Sequence, residues 1–521
     1  MPDPIHSPTA PTKHTHPARS LATLAAGPLA ALAVYVMFAP GEADADPISP
    51  QARATLAAAA WMAVWWIAEA IPLQATALLP LVLFPLAGIA TLDAAAAPYA
   101  RPEIFFFMGG MMLAAAMEHA GLPQRFAVVL LRLAGNSPAR IIAALMTATA
   151  LLSMWVNNTS TTVMMLPIAL SVVRILADRQ NALSPIQARH FALAATLGIA
   201  YAATIGGVGS LFGTAPNIIL QATIRTNYNY HLSFAEYAAV GVPVMLILLP
   251  AAWVLLTRVV FRVPSSLGPG HAVLDDRLLE TTPLSRHEKI VLGVFLLAAT
   301  LWIFNTPVNR ALESLMGRPR PLPEAGVAVL VVLLLFLIPV DLKERRFALS
   351  WKTASSIQWG VLVLLGGGFS LAAALRANGV SDQIAALFSQ LHGLHPFLII
   401  LAAAACVTMV SEVVSNTAVA STFLPIAAAV SIPGLHPFAL LFPVAIAASN
   451  AFMLPMATPP NALAYATGHP TTRDMRRAGV LLNLTAILTV STYCTFIAPL
   501  VTTFPTLDHP APEVPPRSVL E

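Results

Sequence analysis

The sequence predicts an all-α protein that crosses a membrane many times. Hydrophobic residues make up 57% of the 521 residues and charged residues only 10%, whereas soluble domains carry about 25% charged residues. The mean hydropathy of the chain is +0.75. Apolar runs close to the length that crosses a bilayer, about 20 residues, recur along the chain. We therefore expect about eleven transmembrane helices in a lipid bilayer, together with two re-entrant hairpins.

The apolar runs fall into two groups. The candidate spans are 21–39, 54–70, 73–90, 103–120, 190–210, 234–257, 288–304, 323–340, 358–376, 435–454 and 478–502. Two further pairs of runs flank polar motifs and predict the hairpins; they are 140–156 with 160–177, and 397–414 with 418–432.

Composition argues against several classes of partner. The formal net charge is only +4, and the basic residues lie in loops and tails, so we expect no nucleic-acid partner. Cys406 and Cys494 both lie in apolar segments, which argues against a disulfide framework or a metal cluster. We expect no cofactor.

Basic loops orient the chain. Three of them fall on the inside if residue 1 is inside, as the positive-inside rule requires. The first contains Arg258, Arg262, Arg277, Arg286 and Lys289, the second contains Lys343, Arg345, Arg346 and Lys352, and the third contains Arg473, Arg476 and Arg477. One loop, with Arg310, Arg318 and Arg320, falls outside and breaks the rule. The pattern predicts a multi-pass protein of the inner (plasma) membrane with a cytoplasmic N-terminus.

An internal repeat divides the chain. Residues 108–167 align with 366–425 without a gap, and about 20 of the 60 positions are identical, which exceeds what shared apolar composition gives. The predicted organisation is a disordered cytoplasmic tail (1–20), a first helix and loop (21–53), a first repeat (54–262), a cytoplasmic linker (263–287), a second repeat (288–503) and a disordered tail (504–521).

The two repeats face opposite ways. Five full spans separate the two polar motifs if each flanking pair is a hairpin, and seven if the flanking helices also span. Both numbers are odd, so the halves are inverted across the membrane. Inverted repeats are typical of secondary transporters, which hold their substrate near the midplane between the halves.

The polar motifs lie at corresponding places in the halves. The first hairpin tip is near 157–159, in the run Ser153-Met-Trp-Val-Asn-Asn-Thr159, and the second is near 415–417, in Ser411-Glu-Val-Val-Ser-Asn-Thr417. Asn, Ser and Thr cap helix N-termini, whose N–H groups and dipole attract anions. Their oxygen atoms also suit a hard cation such as Na⁺. Duplication of these clusters favours binding sites over simple loop caps.

A second pair of motifs predicts interrupted helices. Thr214-Ala-Pro-Asn217 and Thr458-Pro-Pro-Asn461 each follow an apolar run. Proline removes a backbone donor and disfavours helix in the residue before it. Free carbonyl groups at membrane depth are tolerated where they line a cavity, and there they bind Na⁺. A simple proline kink is the alternative. We expect two related cation sites around one anion site.

Charge links the two kinds of site. The polar motifs contain no Arg or Lys, so a dianion needs helix N-termini and bound cations to offset its charge. This is the physical basis of symport. For Glu412 we expect a structural hydrogen-bonding role, with that of a proton carrier as the alternative. For Glu69 we expect a role in packing or gating, with ligand binding as the alternative.

These motifs resemble the divalent-anion–sodium symporter family (DASS), which includes dicarboxylate, citrate and sulfate carriers. The resemblance covers about residues 54–503. It rests on Glu69-Ala-Ile-Pro72, on the first tip with Met164-Met-Leu-Pro167, on Ser415-Asn-Thr417 and on Ala457-Thr-Pro-Pro-Asn461. It implies eleven helices and two hairpins, a homodimer, and an elevator motion of a transport part against a scaffold.

The resemblance also implies a set of ligands. The first sodium site would use Ser153, Asn157, Asn158 and the backbone near Gly213, and the second Ser411, Asn416 and the backbone near Ala457. Substrate carboxylates would meet Asn158, Thr159, Asn416 and Thr417, with Thr214, Thr458 and Pro459 close by. The chain departs from the family at Asn157, where serine is usual.

The predicted function is sodium-coupled symport of C4-dicarboxylates such as succinate, malate and fumarate. The alternatives are a sodium-independent dicarboxylate exchanger and a sulfate or citrate carrier on the same fold. An anion channel is a further alternative. An intramembrane enzyme is disfavoured because the sequence has no HExxH motif and no catalytic Asp pair or Ser/His pairing in the spans.

Overall fold

The computed structural model describes residues 21–39, 48–135, 137–178, 183–264, 283–317, 322–380, 395–430 and 435–501. It is 79% helical, which confirms the predicted all-α class. Its strands form one small antiparallel hairpin, β1 (Pro339–Asp341) with β2 (Arg346–Phe347). The predicted terminal tails 1–20 and 504–521, and most of the predicted linker 263–287, lie outside the described residues.

The first half of the chain runs from α1 to α12. The helices are α1 (Leu21–Met37), α2 (Pro50–Ala68), α3 (Leu73–Thr76), α4 (Leu79–Leu86), α5 (Leu92–Ala96), a 3₁₀ turn (Ala97–Ala100), α6 (Pro102–His119), α7 (Leu122–Ala134), α8 (Pro138–Ser153), α9 (Asn158–Asp178), α10 (Pro185–Gly207), α11 (Ala215–Tyr228) and α12 (Phe234–Val254), which continues as a π-helical turn (Leu255–Val260).

The second half repeats much of this order. The helices are α13 (Arg286–Ile303), α14 (Asn305–Met316), α15 (Glu324–Leu337), α16 (Trp351–Ala354), α17 (Trp359–Ala377), α18 (Pro396–Ser411), α19 (Asn416–Ala429), α20 (Phe438–Ser449), α21 (Pro459–Ala466) and α22 (Thr472–Thr492), which continues as a π-helical turn (Tyr493–Ile497) and α23 (Ala498–Val501).

Several helices have the length and composition of membrane spans. Among the described residues, five helices are long and apolar enough to cross a membrane, or up to seven if each of two bent pairs counts as one span. The bent pairs join α6 to α7 at 66° and α13 to α14 at 83°. Other predicted spans correspond to shorter apolar helices, such as Leu21–Met37 and Phe438–Ser449.

Two helical hairpins carry the polar motifs. Helices α8 and α9 both pack on α10, and α18 and α19 both pack on α20. Helix α8 corresponds to α18 at both ends in the repeat alignment, and α9 begins at Asn158 where α19 begins at Asn416. We call residues 153–160 the first tip and residues 411–418 the second tip. The sequence repeat is therefore also a repeat of helix boundaries.

Each half also contains an interrupted helix. Helix α10 ends at Gly207 and α11 begins at Ala215; α20 ends at Ser449 and α21 begins at Pro459. We call residues 208–214 the first break and 450–458 the second break. Proline is the second residue of α11 and the first of α21, where its missing N–H leaves no helical hydrogen bond unmade.

Glycine allows α10 to lie close to α8. A Cβ atom on Gly206 would lie 2.3 Å from the carbonyl oxygen of Ala150, which is backbone and cannot move alone. Both helices are buried along this contact. The packing therefore sets the distance between the first hairpin and the first break.

Substitution at this contact tests the packing. Gly206→Ala should destabilise the fold by about 1–3 kcal/mol, the usual cost of overfilling a packed interior. The measurement is thermal unfolding of the purified protein in detergent. Gly293→Ala is the matched control, because a Cβ atom there meets nothing within 4 Å. Equal melting temperatures for the two variants would contradict the close packing of α8 on α10.

Candidate functional site

The two tips and the two breaks converge on one cavity of about 690 Å³. A third wall of the cavity comes from the first residues after α2 and from α6 and α17. The residues that line it are Glu69, Leu73, Phe107, Met111, Asn157, Asn158, Thr159, Gly213, Thr214, Ala215, Gln358, Val361, Val413, Val414, Ser415, Asn416, Thr417, Met456, Ala457, Thr458, Pro459, Pro460 and Ala462.

The first tip brings four polar groups together beside this cavity. The buried hydroxyl of Ser153 donates to the carbonyl oxygen of Ala203 and lies 2.7 Å from the amide of Asn158. With its nitrogen turned inward, Asn158 donates to Ala203 O at 3.0 Å, to Ser153 Oγ at 2.7 Å and to Gly213 O at 3.2 Å. Ala203 is not among the predicted site residues, because the type of a residue does not show whether its backbone carbonyl serves as a ligand.

The same cluster fits a hard cation when the amide is turned round. Asn158 Oδ1 then joins the hydroxyl of Ser153 and the carbonyls of Ala203 and Gly213. Neutral hydroxyl, amide and carbonyl oxygens are the ligands that hard cations take in proteins. The arrangement therefore suits Na⁺ with one orientation of Asn158, and satisfies the amide within the protein with the other.

Glycines let this cluster form. A Cβ atom on Gly207 would lie 2.4 Å from Asn158 Oδ1, and one on Gly213 would lie 2.3 Å from the carbonyl oxygen of Gly207. Any larger residue at either position would push the first break away from the tip.

Asn157 lies at the edge of this cluster and has a different partner. Its Oδ1 accepts from the backbone N–H of Ser160 at 2.9 Å, and its Nδ2 donates to Ser160 Oγ at 3.2 Å. This is the hydrogen bond of a helix N-cap. Thr159, in the first turn of α9, lines the cavity with Asn157 and Asn158.

The second tip forms a corresponding cluster. Ser411 Oγ donates to Ala448 O at 3.0 Å, and Asn416 Nδ2 donates to Ser449 O at 3.3 Å. Asn416 Oδ1 and Asn450 Oδ1 are buried and make no hydrogen bond to described residues. Buried polar groups are normally paired, so these oxygens also fit the coordination of a cation. Asn450 lies in the apolar run before Thr458 and is not among the predicted ligands.

The remaining predicted residues lie around the breaks. Thr214 and Thr417 line the cavity, as do Ala457, Thr458 and Pro459. Thr458 Oγ1 accepts from the N–H of Asn461 at 3.3 Å and so caps α21. The structure thus brings every predicted site residue except Ser153 and Ser411 to the cavity wall. Those two serines lie buried directly behind it.

Asn217 holds the first break together. The buried Nδ2 donates to the carbonyl oxygens of Gly207 at 2.9 Å and of Ser210 at 2.6 Å. These carbonyls have lost their helical partners. The side chain therefore replaces part of the hydrogen bonding that the interruption of α10 removes.

Asn461 does the same in the second break. Its Nδ2 donates to Ala451 O at 3.2 Å and to Leu454 O at 3.1 Å. These acceptors are the repeat equivalents of Gly207 and Ser210. The sequence showed both asparagines in matching motifs, but their role as ties across the breaks was missed.

Glu412 anchors the second tip. Its carboxylate accepts from the backbone N–H groups of Phe452 (2.7 Å), Met453 (2.9 Å) and Leu454 (3.0 Å), and from Asn483 Nδ2 (2.7 Å). It is 3% exposed. These contacts support the structural hydrogen-bonding role predicted for Glu412.

The cavity contains little charge. Glu69 is the one charged side chain among the described lining residues, and none of them is Lys or Arg. Glu69 has φ 46° and its N–H caps the end of α2, so it adopts the left-handed conformation that non-glycine residues rarely use. The helix N-termini at Asn158, Ala215, Asn416 and Pro459 supply the positive potential instead.

Comparisons with known proteins match the chain over nearly its whole length. The family model described as "Sodium:sulfate symporter transmembrane region" matches residues 22–502. The sodium-dependent dicarboxylate transporter SdcS of Staphylococcus aureus strain USA300 is 35% identical over 488 residues, which cover 93% of this chain and 92% of the relative. SdcS of strain MRSA252 is 36% identical over 450 residues, 86% of each protein.

A solved structure shares the fold. The crystal structure of the YdaH transporter of Alcanivorax borkumensis superposes with a TM-score of 0.54 at 16% sequence identity, over 80% of this chain and 87% of that one. At this identity the likeness concerns architecture alone.

Removing a tie across a break should cost stability. Asn461→Ala leaves two buried carbonyls without their donor, so we expect a loss of about 1–3 kcal/mol, measured as a lower melting temperature in detergent. Asn227→Ala is the control, because the Asn227 amide donates only within its own helix, to Thr223 O. If both variants melt together, Asn461 does not hold the second break.

Proposed function

The chain belongs to the sodium:sulfate symporter family, and on this premise we propose that it is a secondary active transporter that carries C4-dicarboxylates with sodium. Family members and relatives are membrane transporters, not enzymes. The relatives named above are sodium-dependent dicarboxylate transporters. We take succinate, malate and fumarate as the substrates, Na⁺ as the coupling ion, and no cofactor.

One observation carries the proposal. Two clusters of neutral oxygen atoms flank a cavity whose described lining contains no Lys or Arg. An anion with two negative charges is costly to hold in such surroundings unless cations accompany it. Helix N-termini reduce this cost but do not remove it. Binding of the anion is therefore coupled to binding of sodium, which is what symport requires.

The ligands divide between ions and substrate. We place the first sodium ion among Ser153, Asn158 and the carbonyls of Ala203 and Gly213, next to Asn157, and the second among Ser411, Asn416 and the backbone near Ala457. The substrate carboxylates meet the amides and hydroxyls at the two helix starts, Asn158 and Thr159 on one side and Asn416 and Thr417 on the other. Thr214, Thr458 and Pro459 complete the cavity.

The architecture supports a mechanism of alternating access. We propose that 54–262 and 288–503 form inverted repeats and that the hairpins move against a scaffold as an elevator. We further propose a homodimer in the inner membrane, with the N-terminus in the cytoplasm. The matched boundaries of α8 and α18 support the repeat, and inverted repeats are the usual basis of this mechanism.

Sulfate is the second candidate substrate. The family model carries sulfate in its description, and hydroxyl and amide donors recognise a sulfate and a carboxylate in similar ways. The similarity to dicarboxylate transporters over 93% of the chain favours dicarboxylates. Sodium-independent exchange is the alternative mechanism.

Radiolabelled succinate uptake into proteoliposomes tests the function. Three conditions separate the mechanisms: an inward Na⁺ gradient, an inward K⁺ gradient, and unlabelled dicarboxylate inside without Na⁺. We expect uptake in the first condition only, with the inward Na⁺ gradient. Uptake driven by internal dicarboxylate without Na⁺ would identify an exchanger. No succinate uptake in any condition would favour sulfate or citrate as the substrate.

Asn416 should be essential, because it lies at both the second cation cluster and the substrate cavity. We expect Asn416→Ala to reduce sodium-driven succinate uptake by about 100-fold, as loss of a shared ligand removes both binding contributions. Thr422→Ala is the control, because the Thr422 hydroxyl donates within its own helix to Ala418 O. Uptake by Asn416→Ala at the rate of the control would refute the assignment.

A further inference from the structure

The two tips lie at corresponding places in the two halves and differ at four of their eight aligned positions. Two of these differences, three residues apart, concern the cap of the helix that follows each tip. The alignment pairs Asn157 with Ser415 and Ser160 with Ala418, whereas the asparagine between them, Asn158 or Asn416, is the same in both. Differences between halves that otherwise match point to a difference in role.

In the first tip, Asn157 and Ser160 are hydrogen-bonded to each other. Both polar ends of the Asn157 amide contact Ser160, with 2.9 Å to its backbone nitrogen and 3.2 Å to its hydroxyl. The start of α9 is therefore capped by the protein itself. No hydrogen bond among the described residues joins the Asn157 side chain to the oxygens around Ser153.

The second tip lacks these bonds. Ser415 makes no side-chain hydrogen bond to the first turn of α19, and Ala418 has no hydroxyl to offer. The neighbouring Asn416 Oδ1 is buried and makes no hydrogen bond to described residues. The second tip therefore has polar groups without a partner among the described residues, where the first tip pairs its own.

Apolar contacts follow the same division. Trp155 in the first tip packs against the rings of Phe234 at 5.6 Å and Phe295 at 4.9 Å between centroids, which belong to α12 and α13. Its repeat equivalent, Val413, is 65% exposed and lines the cavity. The second tip therefore lacks the aromatic anchor of the first.

The bases of the two tips are both tied to the breaks. Ser210 donates to the carbonyl of Met154 in the first half, and Glu412 accepts from the second break in the other half. The base of each tip is therefore held to its break in both halves. The difference concerns the helix cap and the aromatic contacts of the first tip.

We propose that Asn157 and Ser160 are positioning residues that fix the first tip without bound ions, so that sodium binding orders the second tip and not the first. This deepens the proposed function and rests on it for its meaning in transport. Ordering a segment costs conformational entropy, and a pre-ordered site does not have to meet that cost when its ligand binds. Sodium binding therefore changes the conformational order of the second tip and leaves that of the first tip unchanged.

Hydrogen–deuterium exchange of the two tips tests the proposal on the full-length protein in detergent. In choline buffer we expect the amides of 153–160 to be protected and those of 411–418 to exchange freely. Addition of Na⁺ should protect only the second tip. Asn157→Ala/Ser160→Ala should speed exchange of the first tip about fivefold in choline, the size expected from loss of a helix cap.

A reciprocal variant provides the matched control. Ser415→Asn/Ala418→Ser places the same pair in the second tip and should protect 411–418 about fivefold in choline, by the same capping effect.

The uptake assay adds a readout that a purely structural role would not change. In Asn157→Ala/Ser160→Ala the Na⁺ concentration for half-maximal uptake should rise at least about threefold, because the first tip must then be ordered on binding.

Two results would overturn the proposal. One is equal sodium-dependent protection of both tips in the native protein; the other is exchange in choline that is unaffected by loss of the Asn157–Ser160 pair. A third result would separate the two parts of the proposal. If Na⁺ changes the exchange of neither tip, sodium coupling and the ordering of the second tip by sodium are rejected. If Asn157→Ala/Ser160→Ala still loses protection in the first tip, the role of this pair in fixing that tip stands.

Discussion

The structure depends on one constraint, that peptide groups buried in apolar surroundings must have partners. Two interrupted helices break this rule unless something replaces the lost hydrogen bonds. Asn217 and Asn461 each donate to two carbonyls of a break, and Glu412 accepts from three backbone N–H groups of the second break. In the first break the carbonyl oxygen of Gly213 lies next to the Asn158 amide at the wall of the cavity. The interruption of α10 therefore leaves a backbone oxygen beside the cavity, where we propose that a sodium ion binds.

Much of this arrangement could be predicted from the sequence because its motifs occur in both halves of the internal repeat. A single Asn-Thr cluster or a single proline in an apolar run has ordinary explanations. Repetition at a constant spacing removed most of them, and the helix boundaries of α8 and α18 match that spacing at both ends. The interruption of α10 and α20 followed from Thr-x-Pro-Asn because proline acts on the backbone directly.

What the sequence could not show is where side chains point. The family resemblance implies that Asn157 is a sodium ligand, and only the structure shows that its amide also binds Ser160. Helix capping and ion binding use the same oxygen atoms, so residue type cannot separate them. Ala203 contributes a backbone carbonyl oxygen, and Gly207 leaves room for Asn158 because it has no side chain. Neither residue has a polar side chain that would mark it in the sequence. The individual helix lengths were also hard to predict, because apolar runs continue through turns.

The carboxylate of Glu412 has an electrical consequence. It forms no ion pair among the described residues, so hydrogen bonds from three backbone N–H groups and one side-chain amide take the place of a counterion. In the proposed elevator mechanism the second hairpin would carry this carboxylate with it, in the empty as well as in the loaded form. Moving one elementary charge through the full membrane potential changes the free energy by about 2.3 kcal/mol per 100 mV. In that mechanism the membrane potential would therefore act on the hairpin itself, in addition to acting on the ions that it carries.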